Sequence, residues 1–317
     1  MRAVAYHRFG GPDVLAVEDV VAPTPESGEV TVRVHAAGLN PKDVLVRKGK
    51  FERMSGRHFP RIPGYDLAGV VAAAPEGSGL APRDEVYGMV QAWRGGTCAE
   101  VVCLPADQLA PKPTSLSMAE AAGAPLAALT ALQALRDDLR LRAGERLLIN
   151  GASGGVGSYA VQIARLLGAR VVALCSARNL ERMRALGAHE VIDYGTVDPL
   201  TTGPYDLVFD VFGNRPYTQS RRVLRPGGRY CTTVPRPVAI AAEALARIRL
   251  QQRRRLVIVQ SRRLDLEALT TWFEAGHLVS PIDRALPMDA AAEAMAYIET
   301  KRARGKVVLH IADAGDG

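Results

Sequence analysis

Ala152, Gly154 and Gly157 recur at the spacing G-x-G-x-x-G, with alanine in first place, inside the run Leu147-Leu148-Ile149-Asn150-Gly151-Ala152-Ser153-Gly154-Gly155-Val156-Gly157-Ser158. Small residues at these places permit a tight turn, close approach of backbone to a pyrophosphate, and close packing of a helix on the preceding strand. The backbone N–H groups of Gly154, Gly155, Val156 and Gly157 then face the anion from a helix N-terminus. A second group of residues decides which dinucleotide fits. An acid at the end of the following strand would bind a free ribose 2′-OH, whereas Cys175-Ser176-Ala177-Arg178-Asn179 contains none. Arg178 stands 21 positions after Gly157 (178 − 157), flanked by Ser176 and Asn179, with Arg182 one turn later. Such a set offers charge-assisted bonds to a 2′-phosphate, so the predicted cofactor is NADPH rather than NADH.

These residues need a scaffold, and the surrounding pattern supplies one. An apolar run at Arg146 to Asn150 precedes the glycines, and Ala160-Val161, Ile163-Ala164 and Leu166-Leu167 then recur at helical spacing until Gly168. Val171 to Cys175 completes a βαβ unit. A helix from Leu180 to Leu186, strands at Glu190–Tyr194 and Tyr205–Asp210, a helix through Ser220–Leu224 stopped by Pro226-Gly227-Gly228, and a strand from Arg229 to Val234 continue the alternation. That rhythm predicts an α/β fold with a doubly wound parallel sheet covered on both faces. Gly213 and Asn214 follow a strand's carboxyl end, where open sheets of this kind bind ligands. Residues 1 to 118 read differently, as short alternating runs such as Val30 to Val34 between Gly- and Pro-rich turns. A helical stretch from Met118 to Leu141, broken at Pro125, marks the boundary. The basic stretch from Lys50 to Arg61 reads either as a solvated lid or as part of a substrate site. Seven arginines between 247 and 263 read either as a solvated face or as a docking surface for an acidic carrier protein or phosphorylated group. A helix from Leu266 to Glu274, another from Asp289 to Lys301 and a final strand Lys306–Ile311 close the chain.

Bulk properties narrow the classes. A chain of 317 residues, 48% hydrophobic and 23% charged, suits two globular domains, and no run is long and apolar enough to span a membrane. The opening alternation Met1 to Tyr6 reads as a strand rather than a signal peptide, which predicts a cytoplasmic protein. The net charge of +7 hints at nucleic acid, but only six of the 40 basic residues are lysine, so a bias toward arginine explains much of it and a nucleic-acid partner is not favoured. Four cysteines without a C-x-x-C pair argue against a structural zinc site or a disulfide framework.

Taken together, Met1–Val4 with Pro12–Leu15, Asn40-Pro41-Lys42-Asp43, Pro63–Gly69, Ala127–Leu132, the Gly151–Gly157 cradle, Gly187–Tyr194 and Gly305–Val308 resemble the medium-chain dehydrogenase/reductase superfamily, in its zinc-free quinone oxidoreductase (ζ-crystallin-like) branch. The resemblance implies a GroES-like, mostly β catalytic domain from residues 1–118 and 283–317 around a Rossmann domain at 119–282. It implies no metal: Gly64-Tyr65-Asp66 stands where zinc-dependent relatives carry Gly-His-Glu, no cysteine lies near Asn40, and a four-cysteine lobe is missing between Gln91 and Leu104. Without zinc as Lewis acid, hydride goes most readily to an already polarised C=C–C=O system, an enone, an enoyl thioester or a quinone. The catalytic candidates implied are Asn40, Lys42, Asp43 and Tyr65. Asn40 donates to the substrate oxygen or the cofactor, or is a turn residue before Pro41; Asp43 orients loops; Tyr65 packs under the cofactor; Lys42 acts if it faces the site. Leu45 and Phe51 stand where relatives often have tyrosine, which leaves solvent as a further proton source. For the cofactor, matching adds Thr130 near the nicotinamide, Tyr194 beside the 2′-phosphate, the Val234 backbone at the carboxamide, and Lys306 and Arg304. Leu256 to Val259 resembles an edge strand that pairs two copies, implying a homodimer. The rivals are a reductase acting on a carrier-bound or polycyclic biosynthetic intermediate, and an NADPH-binding structural or RNA-binding protein.

Overall fold

The computed structural model describes residues 1–91, 93, 95–234 and 254–312. Along the chain the strands are β1 (Arg2–Ala5), β2 (Ala16–Asp19), β3 (Glu29–Leu39), β4 (Asp66–Ala73), β5 (Glu85–Met89), β6 (Val101–Pro105) and β7 (Leu109–Pro111). Then come β8 (Arg146–Asn150), β9 (Arg170–Cys175), β10 (Glu190–Asp193), β11 (Tyr205–Asp210), β12 (Leu224–Thr232) and β13 (Arg254–Leu256), followed by β14 (Ile282–Pro287) and β15 (Lys306–His310). The chain divides into two compact units, residues 1–126 with 260–317, and residues 127–259. Residues 119–126 and 260–282 thus cluster with the β-rich unit, not with the parallel sheet as the boundaries at 118 and 283 anticipated. The helix Arg263–Glu274 accounts for part of this: Tyr87 in β5 donates its hydroxyl to the Leu266 carbonyl at 2.7 Å, and Thr114 bonds Glu274 through its backbone N–H.

In the β-rich unit β3 is the spine, pairing with β15, β4 and β6; the sheet order is β14-β15-β3-β4-β5-β7. Val30, Val32 and Val34 alternate inward, and from Ala36 to Leu39 every residue is buried. Gly38 explains the change, because a Cβ there would lie 2.3 Å from the Ala122 carbonyl, so only glycine lets the helix Met118–Ala122 rest on the strand. Valines of β3, Leu67, Val86, Leu104 and Leu309 share one core with Ala294, Met295 and Ile298 of the helix Ala291–Glu299.

The second unit is a six-stranded, all-parallel sheet in the order β10-β9-β8-β11-β12-β13, which is the Rossmann order 3-2-1-4-5-6 counted from β8. The expected helix over Ser220–Leu224 is instead a short helix at Tyr217–Ser220, and Leu224 already belongs to β12. Leu224 pairs with Tyr205 and Arg229 with Leu207, so Arg225 to Gly228 bulge out between two paired positions. Pro226 sits in that bulge, where its missing N–H removes no ladder bond. The edge strand is Arg254–Leu256 rather than Leu256–Val259; beyond it Val257 N–H still bonds the Thr232 carbonyl at 2.9 Å. Arg247, Arg249 and Arg253, three of the seven arginines of the expected docking surface, lie outside the described residues. All four cysteines are buried and none is in a disulfide. Among the described residues no helix is long and apolar enough to cross a membrane.

Candidate active site

Where β3 ends, Asn40 starts the helix Pro41–Arg47, with Pro41 in its first turn and Asp43 as third residue. Within a region read as mostly β, this stretch was given no element of its own, although the Asn-Pro-x-Asp order is an N-terminal helix signature. Asp43 accepts from the Asn40 backbone N–H at 2.7 Å, the reciprocal half of a capping box. The Asn40 side chain turns elsewhere. Lys306 Nζ donates to its Oδ1, and its Nδ2 donates to Asp66 Oδ2 at 3.0 Å and to the Gly38 carbonyl at 3.3 Å. Lys306 Nζ also pairs with Asp66 Oδ2 at 2.9 Å, and Asp66 Oδ1 accepts the Leu126 backbone N–H at 2.7 Å. Asn40, Asp66 and Lys306 are all buried. Both amide hydrogens of Asn40 are therefore engaged inside the protein, which removes it as the donor expected for a substrate oxygen. Lys306, expected beside the cofactor, is placed with Asn40, and Asp66 is the hub that residue matching did not single out.

Asp43 uses its second oxygen on the Gly64 N–H at 2.7 Å, so it ties the start of the helix to the Pro63-Gly64 turn, in the loop-orienting role expected of it. Burial pushes its carboxyl up to about 6 in spite of these bonds. Tyr65 is buried, its hydroxyl donates to the Trp93 carbonyl at 3.0 Å, and burial raises that hydroxyl far above its ordinary range. Half-buried Lys42 places its ammonium 3.6 Å from the centre of the Tyr65 ring and 4.6 Å from that of Trp93. Burial lowers the Lys42 ammonium to about 8, with Asp43 and Asp66 pulling the other way. Phe51 packs at 4.9 Å on Trp93, extending the aromatic surface. The basic stretch is anchored: Arg61 is buried and bonds Ser55 Oγ, the Gly56 carbonyl and the Trp93 carbonyl.

In the parallel unit, Gly154 caps the helix Gly155–Leu166, whose first-turn N–H groups have no acceptor within an α-helix. Gly151 has φ +82°. A Cβ on Gly157 would lie 2.1 Å from the Gly151 carbonyl oxygen, whereas one on Gly154 would meet nothing nearer than 3.6 Å. So Gly157 serves helix packing, and the open space beside Gly154 fits a pyrophosphate. Asn179 Nδ2 donates to both Ser153 Oγ and Ser176 Oγ at 3.1 Å, which joins the cradle to the end of β9. Exposed Arg178 and half-buried Arg182 follow, and the Tyr194 N–H bonds the Cys175 carbonyl, bringing that exposed tyrosine beside Ser176.

Asp210, at the end of β11, organises the opposite side. It accepts from Asn150 Nδ2 at 2.6 Å, Gly213 N–H at 2.8 Å, Arg215 N–H at 3.1 Å and the Tyr230 hydroxyl at 3.1 Å, while burial raises its carboxyl. Asn150 also donates to Asn214 Oδ1 at 2.8 Å. Gly213, at φ +77°, leaves room for Val234, whose Cγ2 would be 2.3 Å from a Cβ there. Asp210 and Asn150 were missed; an acid and an amide ending two apolar runs are the signal that points to them. Thr130 is buried in the helix Pro125–Gln133, and Arg304 lies in the β-rich unit, its N–H on Asp283 Oδ2.

Residues 26–114 match the family model described as an alcohol dehydrogenase GroES-like domain, and residues 186–309 match one described as a zinc-binding dehydrogenase. A chloroplastic quinone-oxidoreductase homolog of Spinacia oleracea is 33% identical over 98% of this chain and 98% of its own. This chain belongs to the quinone oxidoreductase branch of the medium-chain dehydrogenase/reductase superfamily. An NADPH-dependent alkenal/one oxidoreductase of Arabidopsis thaliana is 35% identical, across 98% of this chain and 79% of its own. The solved quinone oxidoreductase from Coxiella burnetii superposes with a TM-score of 0.90 at 32% identity, covering 98% and 99% of the two chains. The family is one of NAD(P)-dependent oxidoreductases, and the cradle's geometry accords with that. Despite the zinc-binding label on one matching model, Tyr65, which the resemblance sets against the His of zinc-dependent relatives, is a phenol bonded to a backbone carbonyl and kept protonated by burial. Among the described residues no three His, Cys, Asp or Glu side chains are grouped to hold a metal ion. The donor set does not fit zinc.

Proposed function

We propose that the chain is an NADPH-dependent, zinc-independent reductase of double bonds conjugated to a carbonyl, or of quinones. The observation that carries this reading is Lys42, whose ammonium stands 3.6 Å from the centre of the Tyr65 ring and 4.6 Å from that of Trp93, while the buried Asn40–Lys306–Asp66 cluster is bonded within itself. Bound reduced nicotinamide supplies a hydride. The protein's own part is to hold the dinucleotide and to receive negative charge on the substrate oxygen. Gly154 to Gly157 hold the pyrophosphate, Ser176, Arg178, Arg182 and Tyr194 the 2′-phosphate, and Gly213, Asn214, Val234 and Thr130 the nicotinamide end. Asp43 fixes the backbone that carries Lys42, and the half-buried Trp93 ring offers an apolar face for a conjugated substrate. The solvent-excluded donors are worth most where charge develops in the transition state.

The full-length similarity to named oxidoreductases does not favour a purely structural or RNA-binding role. A homodimer formed along the sheet edge at β13 is part of the proposal, as is a cytoplasmic location, although both plant relatives carry chloroplast names. The test is NADPH oxidation across a panel of quinones, enones and enoyl thioesters, with Arg178→Ala/Arg182→Ala measured beside the parent. The double variant should raise KM for NADPH by about tenfold or more, each charged bond contributing ~1.5–3 kcal/mol, and leave KM for NADH nearly unchanged. Equal effects on the two cofactors contradict the 2′-phosphate assignment, and no turnover with any acceptor contradicts the reductase.

A further inference from the structure

Lys42 differs from the other cations of its neighbourhood in what surrounds it. Lys306 is bonded to Asn40 and Asp66, and Arg61 to Ser55, Gly56 and Trp93. Among the described residues Lys42 Nζ has no hydrogen-bond acceptor or carboxylate partner; it stands over the faces of Tyr65 and Trp93, with three N–H groups to give. The other titratable groups nearby are occupied. Tyr65 gives its hydroxyl hydrogen to the Trp93 carbonyl, and Asp43 accepts one backbone N–H on each oxygen. Leu45 and Phe51 have no proton to offer.

We propose that Lys42 is the proton donor of the reduction, its ammonium meeting the carbonyl oxygen of a conjugated substrate set against the half-buried Trp93 ring. The assignment rests on the reductase reading above. A bound reduced nicotinamide would supply the hydride to the substrate carbon or quinone; as the electron pair moves onto the carbonyl oxygen, one N–H bond of Lys42 breaks and the O–H bond forms. The product is an enol, which tautomerises in water to the saturated carbonyl compound, or a hydroquinone. Lys42 is left as a neutral amine and regains its proton from solvent. Asp43 and Asp66 are the carboxylates that favour the ammonium, while Lys306 sits on Asp66 and Arg61 donates to the Trp93 carbonyl. Burial lowers the cost of giving the proton up near neutral pH, where a general acid works best.

Two readouts test this. First, limited acetylation of the protein without cofactor or substrate, read by peptide mass spectrometry across pH, should give Lys42 a midpoint near 8 against about 10.4 for exposed lysines. Second, Lys42→Met, with Lys42→Gln in reserve should Met disturb folding, should lower kcat by about 10²–10⁴-fold while fluorescence titration gives an unchanged Kd for NADPH. The fall of parent kcat above pH 8 should vanish in the variant. Lys42→Arg keeps the charge without a transferable proton and should stay as slow as Lys42→Met. An acetylation midpoint near 10, or rescue by arginine, overturns the donor role. An active parent matched by Lys42→Met and Lys42→Gln removes the assignment alone; a parent that reduces nothing removes the reductase reading, and the donor with it.

Discussion

Asp43 is the residue whose burial has the plainest consequence for the whole protein. Its carboxyl is completely enclosed, accepts the Asn40 and Gly64 N–H groups, and is raised from 3.8 to about 6. The folded state therefore binds this proton more tightly than the unfolded chain does. Its contribution to stability is fullest below about pH 4, declines as pH rises through the interval up to about 6, and is flat above, a span of ~3 kcal/mol at ~1.4 kcal/mol per pH unit. Asp43→Asn removes the titration and turns an amide NH₂ toward one of the two backbone donors. The variant's stability relative to the parent should accordingly improve by ~2.5 kcal/mol between pH 4 and pH 7, whatever the fixed cost of the misplaced NH₂. Urea unfolding of both proteins at the two pH values measures this double difference; a constant gap would show that Asp43 does not titrate in that window.

At the scale of elements, the cradle was legible and its neighbours less so, for one physical reason. The glycine spacing is local, and Gly157 meets its constraint at Gly151 and Ala152 only a few residues away, so sequence alone exposes it. The 151–157 turn allows those constraints to be separated. Gly157→Ala drives a Cβ to 2.1 Å from the Gly151 oxygen and 2.7 Å from Ala152, both backbone, and should cost ~1–3 kcal/mol of stability. Gly154→Ala, at φ −79° with nothing nearer than 3.6 Å, should cost under ~1 kcal/mol yet weaken NADPH binding about tenfold or more, by occupying space the pyrophosphate needs. Thermal melts without cofactor, paired with fluorescence titration, separate the two effects; equal binding loss without any stability difference would contradict the division of labour. By contrast, the helix Pro41–Arg47 was hidden because Val44 and Val46 carry a strand-like composition, and its identity depends on Asp43 reaching back to Asn40. In β12, Pro226-Gly227-Gly228 has the composition of a helix stop, and only pairing of Leu224 with Tyr205 reveals a bulge. Propensity is a weak prior where pairing across the sheet decides.

At the scale of the molecule, the β-rich unit is closed by partners distant in sequence, which is why a local reading found Asn40 and Lys306 separately but not together. Lys306 reaches Asn40 across 266 positions and Asp66 across 240, while Glu299 reaches Arg47 across 252. Arg47 is wholly buried and donates to the Gly10 carbonyl at 2.9 Å; Glu299 is its carboxylate partner and also takes Lys48. A charge so enclosed cannot fall back on water. Glu299→Ala leaves it uncompensated and should destabilise the unit by ~3–5 kcal/mol, whereas Lys48→Ala, which removes a partner 39% exposed, should cost under ~1 kcal/mol. Arg47→Met exchanges the buried guanidinium for an apolar chain and should be milder than Glu299→Ala, because no unpaired charge remains inside. Both tryptophans of the chain, Trp93 and Trp272, lie in the β-rich unit, so indole fluorescence during urea unfolding follows this unit alone. The order expected for the loss in midpoint is Glu299→Ala, then Arg47→Met, then Lys48→Ala, and it should persist in high salt, since a buried pair is little screened. Equal losses for Glu299→Ala and Lys48→Ala would mean that Glu299 acts as a surface charge and that the tail is held by the β15 pairing and the Lys306 cluster instead.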